Sequence, residues 1–187
     1  MKTILVFICA LSFTVCAIAQ EQGKALEFNE VVQQEGKQGK ELYPIIKAWV
    51  ATAFVNSQKV IQMDDPENGV IICKGVFDYR APGGFTYRYI DGVVNFTLKV
   101  QVRDGRYKVT LNEFRHKTSD SRSGIFWNFG LITDREKFKE SGLQDKRYLK
   151  TWPNLQETCK TFSEKTIAEI KAATSGANPI LDKQEAW

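Results

Sequence analysis

Two alternating runs joined by an Asp-Gly pair constrain this chain more than any other feature. Val94, Phe96, Leu98, Val100 and Val102 alternate with Asn95, Thr97, Lys99, Gln101 and Arg103; after Asp104-Gly105, Tyr107, Val109 and Leu111 alternate with Arg106, Lys108, Thr110 and Asn112. Successive side chains of a strand point to opposite faces, so each run has one apolar and one polar face. Asp-Gly between such runs favours a two-residue hairpin turn with positive φ values. That register sets Val102 opposite Tyr107, Val100 opposite Val109 and Leu98 opposite Leu111, all on one face. A second layer has to cover it.

The stretch 41–77 supplies that layer and further strands. Leu42, Ile45, Ile46, Trp49, Val50, Ala53 and Phe54 recur at helical spacing. Pro44 is tolerable only in a first turn, which places the helix start near Glu41 or Leu42. Asn56-Ser57 closes the helix. The runs 60–63 and 70–79 read as strands joined through Asp64-Asp65-Pro66-Glu67-Asn68-Gly69, and Gly75 within the second marks a bulge or a close approach. Upstream, Leu26, Phe28 and Val32 suggest a first strand. Downstream, Leu155, Cys159, Phe162, Ile170 and Ala173 share one face of a last helix that starts near Pro153 and stops at Gly176. Between hairpin and last helix, 134–140 reads as a short charged helix ending at Gly142.

With 187 residues and 43% hydrophobic composition the chain is long enough for one domain with a core. Its beginning follows an export plan: Lys2, an apolar run from Ile4 through Ile18, and Ala17-Ile18-Ala19 as a small-x-small cleavage site before Gln20. The expected organisation is a signal peptide over 1–19, a single domain over 20–176 and a loose tail over 177–187. The apolar run is shorter than the roughly 20 residues a membrane span needs, and no later stretch is apolar enough to cross a bilayer. Stable membrane insertion after cleavage is therefore not expected. Removing 1–19 takes the net charge from +4 to +3 and leaves two cysteines, Cys73 and Cys159. An oxidising compartment permits a disulfide between them; the alternative is two buried free thiols.

The order strand, helix, four strands, helix resembles a family of small secreted Bacteroidetes-type domains of unknown function with a TATA-binding-protein-like fold. The residues that carry the resemblance are Trp49, Val60-Ile61-Gln62, Asp65 followed by Gly69-Val70-Ile71, Lys74-Gly75, and Arg103-Asp104-Gly105-Arg106-Tyr107. The resemblance implies an α+β, two-layer domain: a curved antiparallel sheet of about five strands with two helices on one face. It implies no activity and no functional residues.

Catalytic groupings are sparse. His116 is the sole histidine, between Arg115 and Lys117 at a strand end, a setting typical of a solvated or locally bonded side chain. A hydrolase acting on envelope material would need it beside carboxylates such as Glu113 or Asp134, and Glu113 falls on the apolar register of Tyr107 and Leu111. No zinc-ligand spacing or phosphate loop is present, and the acidic turn at 64–69 lacks the length of a calcium loop, so neither metal nor cofactor is expected.

What remains is the polar face of the hairpin: Asn95, Thr97, Lys99, Gln101, Arg103, Arg106 and Lys108, with Thr110 and Asn112. One account is a solvated face that discourages aggregation. The other is a binding surface for a cell-envelope protein or glycan in a secreted or periplasmic, non-catalytic module. Nucleic acid is not expected, because the leader directs the chain away from it. The aromatic run Phe126, Trp127 and Phe129 is a second candidate contact patch, or else core.

Overall fold

The computed structural model of the protein describes residues 23–54, 57–118, 127–138 and 146–176. The expected leader and tail lie outside these residues. Six strands form one antiparallel sheet: β1 (Phe28–Gln33), β2 (Ile61–Asp65), β3 (Val70–Tyr79), β4 (Gly92–Arg103), β5 (Arg106–Thr118) and β6 (Gly130–Leu131). Two main helices, α1 (Gly39–Ala53) and α3 (Lys146–Ser175), one short turn of α-helix, α2 (Ser57–Val60), and a 3-10 turn at Gly84–Tyr87 are the helical elements among the described residues. The spatial order is β1-β5-β4-β3-β2, with β6 paired to β5 on the same edge as β1. This is the expected α+β architecture, an open antiparallel sheet covered by two helices.

The central hairpin has the register read from its alternation, with Val102 opposite Tyr107, Val100 opposite Val109 and Leu98 opposite Leu111. Its turn differs from expectation. Only Gly105 has positive φ, 73°, and Asp104 does not. The Asp104 carboxylate accepts the Gly39 N–H at 2.7 Å, so the turn is shaped by the helix docked on it and not by the hairpin alone.

Leu42, Ile46, Trp49 and Val50 of α1 and Trp152, Leu155, Cys159 and Ile170 of α3 lie buried in one cluster with the inward side chains of β3, β4 and β5. Removing such side chains from water contributes about 1.5–3 kcal/mol each for the larger aliphatic ones, which makes this cluster the main source of stability. Buried hydroxyls on α3 bond back within the helix, Ser163 to the Cys159 carbonyl at 2.7 Å and Thr174 to the Ile170 carbonyl at 3.1 Å, so burying them leaves no donor unmet. Gly75 faces this core. A Cβ there would stand 2.4 Å from the Phe96 ring, which stacks among Phe54, Phe77 and Phe162.

Several boundaries move. α1 starts at Gly39, where Glu41 accepts the Gln38 N–H at 2.7 Å, so Pro44 lies inside the helix rather than opening it. Val60 ends α2 instead of beginning a strand. α3 starts at Lys146, seven residues before Pro153, and its first turns are held by Trp152, buried against Phe129 and Phe138, although proline removes one helical amide. Residues 134–138 are not helical. Their neighbours 130–133 extend the sheet edge: Ile132 donates to the Phe114 carbonyl at 2.8 Å, and Leu26 donates to Ile132 at 3.0 Å. Trp152 Nε1 donates to the Arg135 carbonyl at 2.8 Å, tying this edge segment to α3.

Candidate functional site

One irregularity governs the polar face. Thr97 pairs with Asn112 and Asn95 with Arg115, so Glu113 and Phe114 together oppose Phe96 in a β-bulge. Glu113 takes φ of 55°, the only positive value at a non-glycine among the described residues. The bulge switches parity along β5. Before it Tyr107, Val109 and Leu111 point to the helices; after it Phe114, His116 and Thr118 do. Glu113 is thereby turned out to solvent, where it accepts a hydrogen bond from Thr97 at 2.9 Å. The expectation of a carboxylate on the apolar register is corrected, because counting in twos fails across a bulge.

His116 is sealed in the core at 2% exposure. Nε2 meets the Ile90 carbonyl at 3.0 Å, and Nδ1 accepts the Phe129 N–H at 3.3 Å. A carbonyl can only accept and an amide N–H only donate, so these partners define the neutral ring with its proton on Nε2. Burial pulls its pKa down to about 4, against the smaller opposing effects of the Ile90 hydrogen bond and the Asp91 charge. Neither proposed carboxylate is its partner: Glu113 lies on the opposite sheet face, and Asp134 accepts the Lys24 N–H at 2.7 Å. Locally bonded describes this histidine; solvated does not.

Phe129 is buried against His116 and Trp152, and Trp127 packs on Tyr89 beside the core. Phe126 lies outside the described residues. Of the described part of the run, Phe129 therefore belongs to the core and Trp127 packs beside it. Cys73 and Cys159 are buried free thiols, pushed up to about 11 and about 12 by burial. Among the described residues no group of three or more His, Cys, Asp or Glu could hold a metal ion, and no helix is long and apolar enough to cross a membrane.

The face away from the helices is built rung by rung. Arg103 stands opposite Arg106, Gln101 opposite Lys108, Lys99 opposite Thr110, Thr97 opposite Asn112 and Asn95 opposite Arg115. Asn95, Arg103 and Arg106 are exposed, while Thr97, Lys99, Gln101, Lys108 and Asn112 are half-buried; Thr110, between Lys99 and Asn29, is buried. The bulge adds Arg115 and Lys117, which simple alternation assigns to the covered face, and β3 adds Lys74 opposite Thr97. Among the described residues none of these seven cations (Lys74, Lys99, Arg103, Arg106, Lys108, Arg115, Lys117) forms an ion pair. The same face carries Val31, Met63 and Val76, at 48%, 47% and 56% exposure, three of the four exposed large apolar side chains among the described residues. Shallow depressions indent it at the turn end and beside the bulge, with volumes of about 230 and about 260 Å³.

An open antiparallel sheet in the order β1-β5-β4-β3-β2, covered on one face by two helices, defines an α+β domain of the TBP-like class. Residues 28–117 match the family described as "Domain of unknown function (DUF4468) with TBP-like fold". A TBP-like protein from Parabacteroides distasonis ATCC 8503 is similar in structure, with a TM-score of 0.60 and 12% identity over 82% of this chain and 95% of that one. A DUF4468 family protein from Bacteroides ovatus ATCC 8483 is similar with a TM-score of 0.50 and 14% identity, over 80% of this chain and 86% of that one. No curated protein matches. At such identities the solved structures establish the shared fold, and the function has to be argued from the face itself.

Proposed function

We propose that this chain is a secreted or periplasmic, non-catalytic binding domain whose open sheet face holds an acidic protein or glycan of the cell envelope. The observation that carries the reading is the ladder of cations without carboxylate partners, set beside Val31, Met63 and Val76. Complementary charge steers and orients such a partner, while the apolar side chains favour contact over mere attraction. Asn95, Thr97, Gln101 and Asn112 between the cations offer donors and acceptors suited to glycan hydroxyls or peptide groups. Export rests on the leader at 1–19. The face is also charged against itself, so two copies do not pack open face to open face, and the partner is a different molecule.

Two measurements test the proposal. Fractionation with N-terminal sequencing should recover a chain that begins at Gln20 outside the cytoplasm; a cytoplasmic chain with its leader intact would overturn export. Retention on immobilised polygalacturonate and polyglutamate, at about 0.15 M salt to screen weak contacts, should be lost in a folded K99E/R103E/K108E variant. Equal retention of variant and parent, or of neither, would overturn the surface.

A further inference from the structure

The open face is not uniform, and its turn end has the makings of a discrete site. Resting on the reading of that face as an anion-binding surface, we infer that the end of the β4–β5 hairpin binds a tetrahedral oxyanion, phosphate or sulfate, borne by the partner. Its ligands are the guanidinium groups of Arg103 and Arg106, with Lys108 and Gln101 on the next rung.

Four observations converge on it. Arg103 and Arg106 are direct cross-strand partners on the same face, and like charges placed so are destabilising unless an anion lies between them. The two residues flank a two-residue turn, so the strands cannot slide to separate them. The one carboxylate within that turn, Asp104, is bonded to the Gly39 N–H and does not pair with either arginine. Finally, the side chains border a depression of about 230 Å³ lined by Val31, Gln101, Arg103, Arg106, Tyr107 and Lys108.

The chemistry suits a phosphate or sulfate group. Adjacent strands lie about 4.8 Å apart, which brings two planar forks within reach of one anion, and guanidinium groups bind such oxyanions through paired N–H donors. Lys108 adds a third positive charge, and the Gln101 amide adds a neutral donor. A single carboxylate would leave this positive charge under-compensated.

Titration of the folded protein with sodium phosphate and sodium sulfate, read by the Nε–Hε resonances of the arginines against sodium chloride at matched ionic strength, tests the site. Saturating shifts are expected for Arg103 and Arg106 and not for Arg115. R103Q should weaken phosphate binding by about tenfold, the loss of one charge-assisted hydrogen-bonding group. R103E should bind no phosphate yet melt at a higher temperature than the parent in low-salt, phosphate-free buffer, because it converts a like-charge pair into an opposite one. Shifts that chloride reproduces, or that spread evenly over all arginines, would overturn the site while leaving polymer retention by the wider face untouched. Localised shifts with no polymer retention would support the site and count against the wider face, so the two readings fail separately.

Discussion

The carboxylate of Asp104, in the turn between β4 and β5, accepts the N–H of Gly39, the first residue of α1, at 2.7 Å. The same turn is bound twice more to the β1–α1 connection: Gly105 donates to the Lys37 carbonyl at 2.9 Å and accepts from Gln34 at 2.8 Å. A helix N-terminus presents amide donors and a partial positive charge, so a carboxylate from a distant hairpin serves it as a local cap would. Asp104→Ala should cost about 1 kcal/mol of stability, and Asp104→Asn less, because its amide oxygen still accepts. Urea denaturation of the two variants measures both.

Gly75 leaves room for the aromatic cluster. A Cβ at that position would lie 2.4 Å from Phe96 and 3.0 Å from Phe54, and both rings are held by other aromatic contacts. Gly75→Ala should therefore destabilise by about 1–3 kcal/mol, as overpacking does, despite alanine's lower backbone entropy cost. Unchanged stability in a chemical denaturation curve would refute that account of the glycine.

Glu113 occupies the left-handed region, which costs a non-glycine residue roughly 1 kcal/mol. Glu113→Gly removes that strain and loses only the exposed hydrogen bond from Thr97, so its stability should match or exceed the parent by up to about 1 kcal/mol. Deleting Glu113 is a different experiment. It would remove the extra residue of the bulge and restore strict alternation with Phe114 opposite Phe96 and His116 still facing the helices, so the cooperative thermal transition should be retained.

His116 makes the fold acid-sensitive in a defined window. Its pKa falls from an unfolded value of 6.5 to about 4 in the folded chain. Above 6.5 both states are neutral and the ring adds no pH dependence. Below it the unfolded chain takes up a proton that the folded chain refuses, so stability declines as pH drops from 6.5 towards 4, by roughly 3 kcal/mol in all. His116→Gln should lower stability at neutral pH yet flatten the decline between pH 6.5 and 4. Denaturation series at several pH values compare the slopes, and equal slopes would show that other groups carry the acid response.

The hairpin, both main helices and the polar face were legible before any coordinates, because strict alternation and helical spacing are consequences of burying one side of a regular element. Two helices over an open sheet came from a resemblance in the particular residues around Trp49, Lys74-Gly75 and Arg103-Asp104-Gly105-Arg106-Tyr107, and the structure has that arrangement. The site was read in part. Lys99, Gln101, Arg103, Arg106 and Lys108 stand on the open face as their alternation requires, but Arg115 and Lys117 reach it only through the bulge, and the outward direction of Val31 and Met63 follows from the pairing of β1 with β5 and from the irregular β2–β3 ladder.

Local pattern by itself determined which residues form strands and helices and which side of each seeks the core, since those choices depend on neighbours two to four positions away. Only the tertiary structure decided the rest. The bulge at Glu113 is set by what Phe114 and His116 find beneath α3 and the 127–138 segment; the turn at Asp104 is set by a helix end 65 residues away in sequence. Such contacts couple residues far apart in the chain, and their energies outweigh the small local preferences that a periodic pattern records.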